Sequence, residues 1–204
     1  MTIRTIALAL ACLTALLIPT AHGVSASDTS QLAPLLPNAE AVGPGFVLVE
    51  AGTRNLDRMS IRFTDPAEAE TRLTEWGFLY SFYRTYDQAH GVCPPRECDV
   101  TVEISMSVFR TMEGATLALP YFAQDRADAI GLAPITFETP FADGRVKREA
   151  RLDGNGEYTT YLQMGERLVR VSMTIEPDLR STGEGLRRVA LVDRLAWATL
   201  TAET

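Results

Sequence analysis

The amino-acid sequence predicts an α+β protein with a mostly antiparallel sheet and about three helices packed on it. Alternating apolar and polar residues, a pattern typical of half-buried strands, recur along most of the chain beyond residue 45. Short turns separate several of these strand segments, as in β-hairpins, and longer helical segments lie between them. The predicted order of elements is β-β-α-β-β-α-β-β-β-α.

The first part of the domain contains two predicted strands and one predicted helix. Residues 46–49 are apolar, and residues 59–63 alternate as a half-buried strand should. Asp65 is a suitable N-cap, and Pro66 fits the first turn of a helix. This signature predicts a helix that runs to Trp76 and ends at the glycine that follows.

The middle of the chain contains two more strands and a long helix. Residues 78–86 are aromatic and alternating, and residues 100–109 place a row of aliphatic side chains on one face of a strand. Thr111 is positioned to begin a helix over 112–130. Pro120 falls inside that helix, where it is expected to kink or split it.

The last part of the chain predicts three strands followed by a helix. The strands cover 145–152, 158–164 and 168–175. The first two are separated by a turn over 153–156, and the last two by a tight Gly-Glu turn. The turn over 153–156 has the start of a calcium-binding loop, but the later ligands are missing, so a hairpin turn is the better interpretation. A final helix begins near Thr182.

Residues 1–26 have the three parts of a cleavable secretory signal peptide. Arg4 supplies the positive charge, residues 6–18 are almost wholly apolar, and small residues follow a proline. The apolar run is too short to span about 30 Å of hydrocarbon, so no stable membrane insertion is expected after cleavage. We expect the mature chain to begin at Val24 or Ser27 and to be secreted or held in the cell envelope.

The remainder of the chain is expected to form one domain. Residues 27–44 are rich in Ser, Ala, Pro and Gly and are interpreted as a linker, and residues 45–204 as a single α+β domain. The formal net charge of −7 disfavours nucleic acid as a partner, because that partner requires clustered positive charge. The arginines are scattered along the sequence and do not form such a cluster there.

The two cysteines of the mature chain, Cys93 and Cys98, are predicted to form a disulfide. Export places them in an oxidising compartment, and the short loop between them contains two prolines. A bridge across so short a loop contributes about 2 kcal/mol in the chain-entropy model. The spacing does not fit C-x-x-C redox chemistry, and a zinc site needs two more ligands where the mature chain has only His90. No metal or cofactor is therefore predicted.

No catalytic residue is assigned from the sequence. The lone histidine limits triad chemistry, and no G-x-S-x-G motif is present. Five acidic residues on the predicted helices can be paired as acid and base, although a solvated helix face explains them as well. They are Glu68, Glu70, Glu75, Asp125 and Asp128.

The aromatic strand is the candidate ligand-binding element. Phe78, Tyr80, Phe82 and Tyr86 alternate onto one face, with Arg84 in the same row. Core packing under a helix is the favoured explanation. The alternative is a ring-lined groove in which Tyr80, Phe82, Arg84 and Tyr86 bind a ligand, with Arg84 as a charged donor at its solvent-facing end.

The order of elements resembles a known group of exported domains. The stretch 35–37 ahead of 44–46, and the strand-to-helix stretch 109–115, resemble exported sensor-type domains of actinobacterial lipoproteins and receptor kinases. The overall order is similar to the PsbP-like fold. Those domains often carry two disulfides, whereas this mature chain can form one. The resemblance implies a non-catalytic binding or sensor-like accessory module with a small-molecule or protein ligand. The alternative is a hydrolase that uses carboxylates on the sheet rim.

Overall fold

The computed structural model describes residues 33–88, 100–131, 133–134, 147–152, 157–174 and 183–202. Within these residues, seven strands form one antiparallel sheet in the order β1-β2-β3-β7-β6-β5-β4. The strands are β1 (Phe46–Arg54), β2 (Phe78–Gln88), β3 (Thr101–Phe109), β4 (Ala133–Pro134), β5 (Lys147–Leu152), β6 (Glu157–Met164) and β7 (Arg167–Thr174). The α+β class and the antiparallel sheet predicted from the sequence are therefore confirmed.

The helices lie on both faces of this sheet. They are α1 (Ala39–Val42), α2 (Leu56–Ser60), α3 (Pro66–Glu75), α4 (Met112–Ile130) and α5 (Gly183–Thr201), and a 3-10 turn covers Ala33–Leu35. Asp65 caps α3 by accepting hydrogen bonds from the backbone amides of Ala67 and Glu68, as its position before Pro66 predicts. None of the helices in the described residues is both long and apolar enough to cross a bilayer.

The first face of the sheet is apolar and is covered by α5 and the segment before β1. Alternate residues of β3 and β7 supply the centre of this core, and α5 contributes one apolar stripe. The buried residues are Leu35, Leu36, Val42, Phe82, Tyr86, Val100, Val102, Ile104, Met106, Tyr158, Leu162, Val169, Val171, Met173, Val192, Leu195, Ala196 and Leu200. Part of the segment interpreted as a linker, 27–44, thus contributes core side chains.

The second face of the sheet is apolar at one end and charged at the other. At the apolar end, α2, α3 and α4 pack over Phe78, Phe109, Tyr161 and Leu168. At the other end, β3 and β7 place Glu103 and Arg170 on this second face. The helices therefore leave a polar region of the sheet beside the core, and this region contains the candidate site.

The prediction of a strand over 59–63 is wrong, because this stretch contains the end of α2 and the turn after it. Asn55 caps α2 by accepting a hydrogen bond from the backbone amide of Arg58 at 3.1 Å. In a strand, Met59, Ile61 and Phe63 would share a face. Met59 and Phe63 are buried, but Ile61 is 71% exposed, so the three residues do not share one face as they would in a strand.

Helix α4 runs through Pro120 without being split. Its alanines and aromatic residues pack on the sheet, and this packing holds the helix where the proline removes a backbone hydrogen bond. The signal peptide over 1–26, Cys93, Cys98 and the turn over 153–156 lie outside the described residues. The disulfide and the cleavage site stay predictions.

Candidate functional site

Glu103 is the third residue of β3, and three arginines contact its carboxylate. Arg54 of β1 donates from Nη1 to Oε1 at 3.4 Å, and Arg170 of β7 donates from Nη1 to the same oxygen at 2.9 Å. Arg62, in the turn after α2, donates from Nη2 to Oε2 at 3.3 Å. The side chain of Glu103 is only 17% exposed. The guanidinium groups therefore replace much of the water that a buried carboxylate loses.

Arg170 connects Glu103 to a second carboxylate, that of Glu157 at the start of β6. The Nη2 atom of Arg170 lies 3.8 Å from Oε1 of Glu157. Arg126 of α4 donates to both oxygens of Glu157, from Nε to Oε1 at 3.0 Å and from Nη2 to Oε2. Such two-pronged contact fixes the plane of both groups. We call six residues the arginine cluster: Arg54, Arg62, Arg126, Arg170, Glu103 and Glu157.

The pairing of β3 with β7 places the centre of the cluster. Glu103 lies opposite Ser172 in this register, so Arg170 lies on the diagonal of the same sheet face. Arg170 also donates from Nη2 to Ser172 Oγ at 3.1 Å, which fixes its guanidinium group against the sheet. The two charged residues are 67 positions apart in the sequence, and the non-local pairing of their strands brings them together.

A tether between two elements positions the arginines that come from the helical layer. The backbone amide of Thr64 donates to Asp125 Oδ1 of α4 at 2.9 Å. This contact holds the turn that carries Arg62 against the helix that carries Arg126. The two arginines thus line the same space from different elements.

The charges of the cluster shift the pKa values of its members. Burial raises the pKa of the Glu103 carboxyl, but Arg170, Arg54 and Arg62 outweigh it and hold that pKa below its usual range. Burial lowers the pKa of Arg54, and the attraction of Glu103 offsets this only in part, because Arg62 and Arg170 lower it further. Glu103 is therefore ionised at neutral pH, in a neighbourhood rich in positive charge.

Arg170 and Tyr161 form the inner part of the site. Burial disfavours the charged form of Arg170, but Tyr161, Glu103 and Glu157 outweigh that effect and raise its pKa. Burial also raises the pKa of the Tyr161 phenol, so this hydroxyl stays protonated at neutral pH. Its oxygen lies 3.4 Å from the carbonyl oxygen of Phe122, to which it donates.

A cleft of about 70 Å³ opens between the α2 turn and α4, with the inner end of the cluster as its floor. It is lined by Met59, Arg62, Phe63, Phe122, Asp125, Arg126, Tyr161 and Arg170. Arg62 and Arg126 are 44% and 38% exposed, so their guanidinium groups stand at the boundary between the cleft and solvent. Such planar donors suit carboxylate or phosphate oxygens.

The structure places the four predicted ligand-binding residues on the first face of the sheet. Phe82 and Tyr86 are buried in the core, and Tyr80 packs against it. The Tyr86 hydroxyl donates to the carbonyl of Pro37 at 2.5 Å. Tyr86 is 1% exposed, so it does not reach solvent as the groove hypothesis expected.

Arg84 is half-buried and also contacts the segment before β1. Its Nη1 atom donates to the carbonyl oxygens of Leu36 at 2.7 Å and Pro37 at 3.2 Å. Arg84 lines a cavity of about 470 Å³ between this segment and Ala198 of α5. These contacts give Arg84 a role in holding the segment, and a ligand at Tyr80, Phe82, Arg84 and Tyr86 stays a prediction.

The sequence analysis did not identify any member of the arginine cluster. Its six residues belong to six separate parts of the fold, and the arginines are scattered in the sequence. One signal was present: Arg170 interrupts an apolar strand, and Glu103 stands in the strand with the clearest alternation. A charge at the centre of a strand needs a partner if that face is covered.

The five helical carboxylates considered for catalysis do not converge on the cleft as a group. Asp125 is the one of the five that lines it. Glu68 pairs with Arg72 on the exposed face of α3, and Asp128 accepts a hydrogen bond from Gln124 on α4 at 2.7 Å. In the part of the chain that the structure describes, three or more His, Cys, Asp or Glu residues nowhere come together as a group able to hold a metal ion.

Comparison with known proteins identifies a similar structure among those that have been solved. No protein-family model matches the chain, and no curated protein matches it. Among solved structures, the chain is similar to the extracellular domain of PknH from Mycobacterium tuberculosis, at 15% identity and a TM-score of 0.43. The similarity covers 81% of this chain and 95% of that chain.

Proposed function

We propose that this protein is an exported, non-catalytic binding module and that its ligand is a small anion held in the cleft beside the arginine cluster. The observation that carries the proposal is the position of Arg62 and Arg126. Both lie at the mouth of a cleft with apolar walls and a cationic floor. This concentration of arginine stands out in a chain with a net charge of −7.

The cluster holds the cleft ready for a ligand. Arg170 is fixed by Glu103, Glu157 and Ser172, so its charge needs little rearrangement when an anion enters. Among the described residues, the guanidinium group of Arg62 makes a single hydrogen bond, to Glu103 at 3.3 Å, and its other N–H donors are available for a ligand. A site whose groups are already ordered loses less conformational entropy on binding.

The alternative of a hydrolase with rim carboxylates has less support from this site. General acid catalysis requires a carboxyl group that stays protonated near neutral pH, which burial in apolar surroundings achieves by raising the pKa. The pKa of Glu103 is shifted in the opposite direction by three arginines. Glu157 is likewise contacted by Arg126 and Arg170. Both carboxylates are thus engaged in holding arginines.

The location outside the cytoplasm is part of the proposal and is supported by the leader. Residues 1–26 combine a positive start, an apolar run and small residues at the expected cleavage sites. Secretion and retention in the cell envelope are both compatible with a sensor or accessory role.

The proposal is tested by titrating the mature protein with acetate, propionate and inorganic phosphate while recording backbone amide NMR spectra. We expect shift changes around the cleft and a Kd about tenfold or more higher in Arg62→Gln, as for the loss of a hydrogen bond to a charged group. Arg58→Gln is the matched control. Arg58 is exposed on the adjoining α2, and its substitution changes the net charge by the same amount.

The outcome that contradicts the proposal is equally specific. If none of the three anions shifts the amides around the cleft, or if Arg62→Gln binds them as tightly as Arg58→Gln does, the cleft is not an anion site. A thermal melt of both variants checks that each is folded. The expected change in stability is below about 1 kcal/mol, because Glu103 keeps Arg54 and Arg170 when Arg62 is replaced.

A further inference from the structure

The cleft contains one negative group opposite its arginines, and this combination narrows the class of ligand. Asp125 lines the same space as Arg62, Arg126 and Arg170. Its Oδ1 atom accepts the hydrogen bond from the Thr64 amide, which fixes the carboxylate in place. The described contacts of Asp125 leave Oδ2 available as an acceptor. A ligand in the cleft therefore meets cationic donors and an anionic acceptor within a small volume.

One side of the cleft is apolar. The Phe63 and Phe122 rings pack edge to face, with centroids 4.9 Å apart, and Met59 completes this side. The volume of about 70 Å³ corresponds to roughly five to seven water-sized positions. This space is enough for a molecule of a few heavy atoms with a short apolar part. A long chain or a large ring system would extend out of this space into solvent.

We propose that the ligand is a small zwitterionic α-amino acid. Its carboxylate is held by Arg62 and Arg126 at the mouth of the cleft, its ammonium group faces Asp125, and its short side chain lies against Phe63 and Phe122. This inference rests on the proposed function, since it names the class of anion that the same cleft binds.

The charges of the cleft disfavour the simpler alternatives. A dianion such as phosphate gains from the arginines but is repelled by Asp125. A simple amine gains from Asp125 but meets three arginines. A carboxylate without an ammonium group leaves Asp125 in the cleft without a counter-charge from the ligand. An α-amino acid carries both charges at a short separation, and Asp125 and Arg126 line the same cleft.

The test compares three probes: L-alanine, propionate, which lacks the ammonium group of L-alanine, and ethylamine, which lacks its carboxylate. Isothermal titration of the mature protein is expected to give a Kd for L-alanine at least tenfold lower than that for propionate, and still weaker binding of ethylamine. In Asp125→Asn, the preference for L-alanine over propionate is expected to disappear. Arg62→Gln is expected to weaken both carboxylates. Asp128→Asn is the matched control, because Asp128 lies one turn further along α4 and contacts Gln124 instead.

The two proposals fail in distinguishable ways. If L-alanine and propionate bind equally, and Asp125→Asn changes neither, the amino-acid proposal is overturned and the anion site stands. If neither binds in a manner that depends on Arg62, both proposals are overturned. Asp125→Asn keeps an oxygen that accepts the Thr64 amide, and a thermal melt close to that of Asp128→Asn shows that its effect is on binding. If Asp125→Asn melts at a lower temperature than Asp128→Asn, the binding of L-alanine and propionate by Arg62→Gln still tests the carboxylate end of the site independently.

Discussion

At the scale of single residues, Glu103 organises the charged part of the sheet. One carboxylate accepts from Arg54, Arg62 and Arg170, which come from three different elements. The Arg54 guanidinium also lies over the Tyr83 ring, 3.5 Å from its centroid. Removing the negative charge leaves these cations close together without that counter-charge. This change destabilises the folded protein more than the loss of one exposed ion pair does.

We expect Glu103→Gln to lower the free energy of unfolding by about 2–3 kcal/mol at pH 7, between the value for a charged hydrogen bond and that for a fully buried pair. Urea denaturation measures this. Glu68→Gln is the matched control, because Glu68 and Arg72 form an exposed i,i+4 pair, and it should lower the free energy of unfolding far less than Glu103→Gln does. Equal effects of the two substitutions would show that Glu103 is not the centre of the cluster.

The stability that Glu103 contributes is expected to depend on pH in a defined direction. Its pKa in the folded protein lies below the ordinary value of 4.5. The contribution is therefore complete above that ordinary value and is lost as the pH falls through the lower, folded value. The difference between wild type and Glu103→Gln should be constant near neutrality and shrink at acid pH. A difference that grows on acidification contradicts this assignment.

At the scale of elements, a close backbone approach joins the end of α3 to the start of α4. Gly77 ends the turn after α3 with φ of +70°, and its carbonyl accepts from the Arg110 amide at 2.8 Å. Gly114, in the first turn of α4, lies so close that a Cβ there would be 1.9 Å from the Trp76 carbonyl oxygen. Because that oxygen belongs to the backbone, the helix itself must shift to admit a side chain.

Gly114→Ala is expected to destabilise the protein by about 3 kcal/mol or more, at or above the usual range for overpacking. Thermal and urea denaturation measure the change. The control is Gly131→Ala at the other end of α4, where φ is +74° and no atom lies within 4 Å of an added Cβ. That substitution costs about 1 kcal/mol of backbone strain. A neutral or stabilising Gly114→Ala contradicts the close contact.

At the scale of the whole molecule, the segment before β1 closes the first face of the sheet. Leu36 packs in the core with residues of α5. Arg84 and Tyr86 hold the adjoining backbone by donating to the carbonyl oxygens of Leu36 and Pro37. The domain thus includes residues well ahead of its first strand. The polar groups of Arg84 and Tyr86 on β2 attach this segment to the sheet.

Leu36→Ala is expected to lower the free energy of unfolding by about 2–4 kcal/mol, because it opens a cavity where the side chain is 2% exposed. Leu117→Ala on α4 is the matched control. Its side chain is 47% exposed, so the change should stay within about 0.5 kcal/mol. If both variants unfold at the same urea concentration as the wild type, the segment is not part of the cooperative unit.

Local patterns determined most of the secondary structure of this protein. The alternation of apolar residues predicted the strand β3, and the Asp65 and Pro66 pair predicted α3. Helix capping and the spacing of apolar residues are both properties of a few neighbouring residues, so the sequence shows them directly. The error over 59–63 arose because a pattern of five residues is too short to distinguish a strand from a helix end followed by a turn. The cap at Asn55 favours the helix, and the exposure of Ile61 between the buried Met59 and Phe63 excludes the strand.

The tertiary structure alone decided where the candidate site lies. Alternation shows that Glu103 and Arg170 each share a strand face with other polar residues, but it does not show which strands are neighbours. The pairing of β3 with β7 joins them across 67 residues, and the Thr64–Asp125 contact adds Arg62 and Arg126 from the helical layer. In the same way, the aromatic face of β2 became core because α5 and the segment before β1 cover it. Burial and charge pairing depend on which elements meet, and that is a property of the assembled fold.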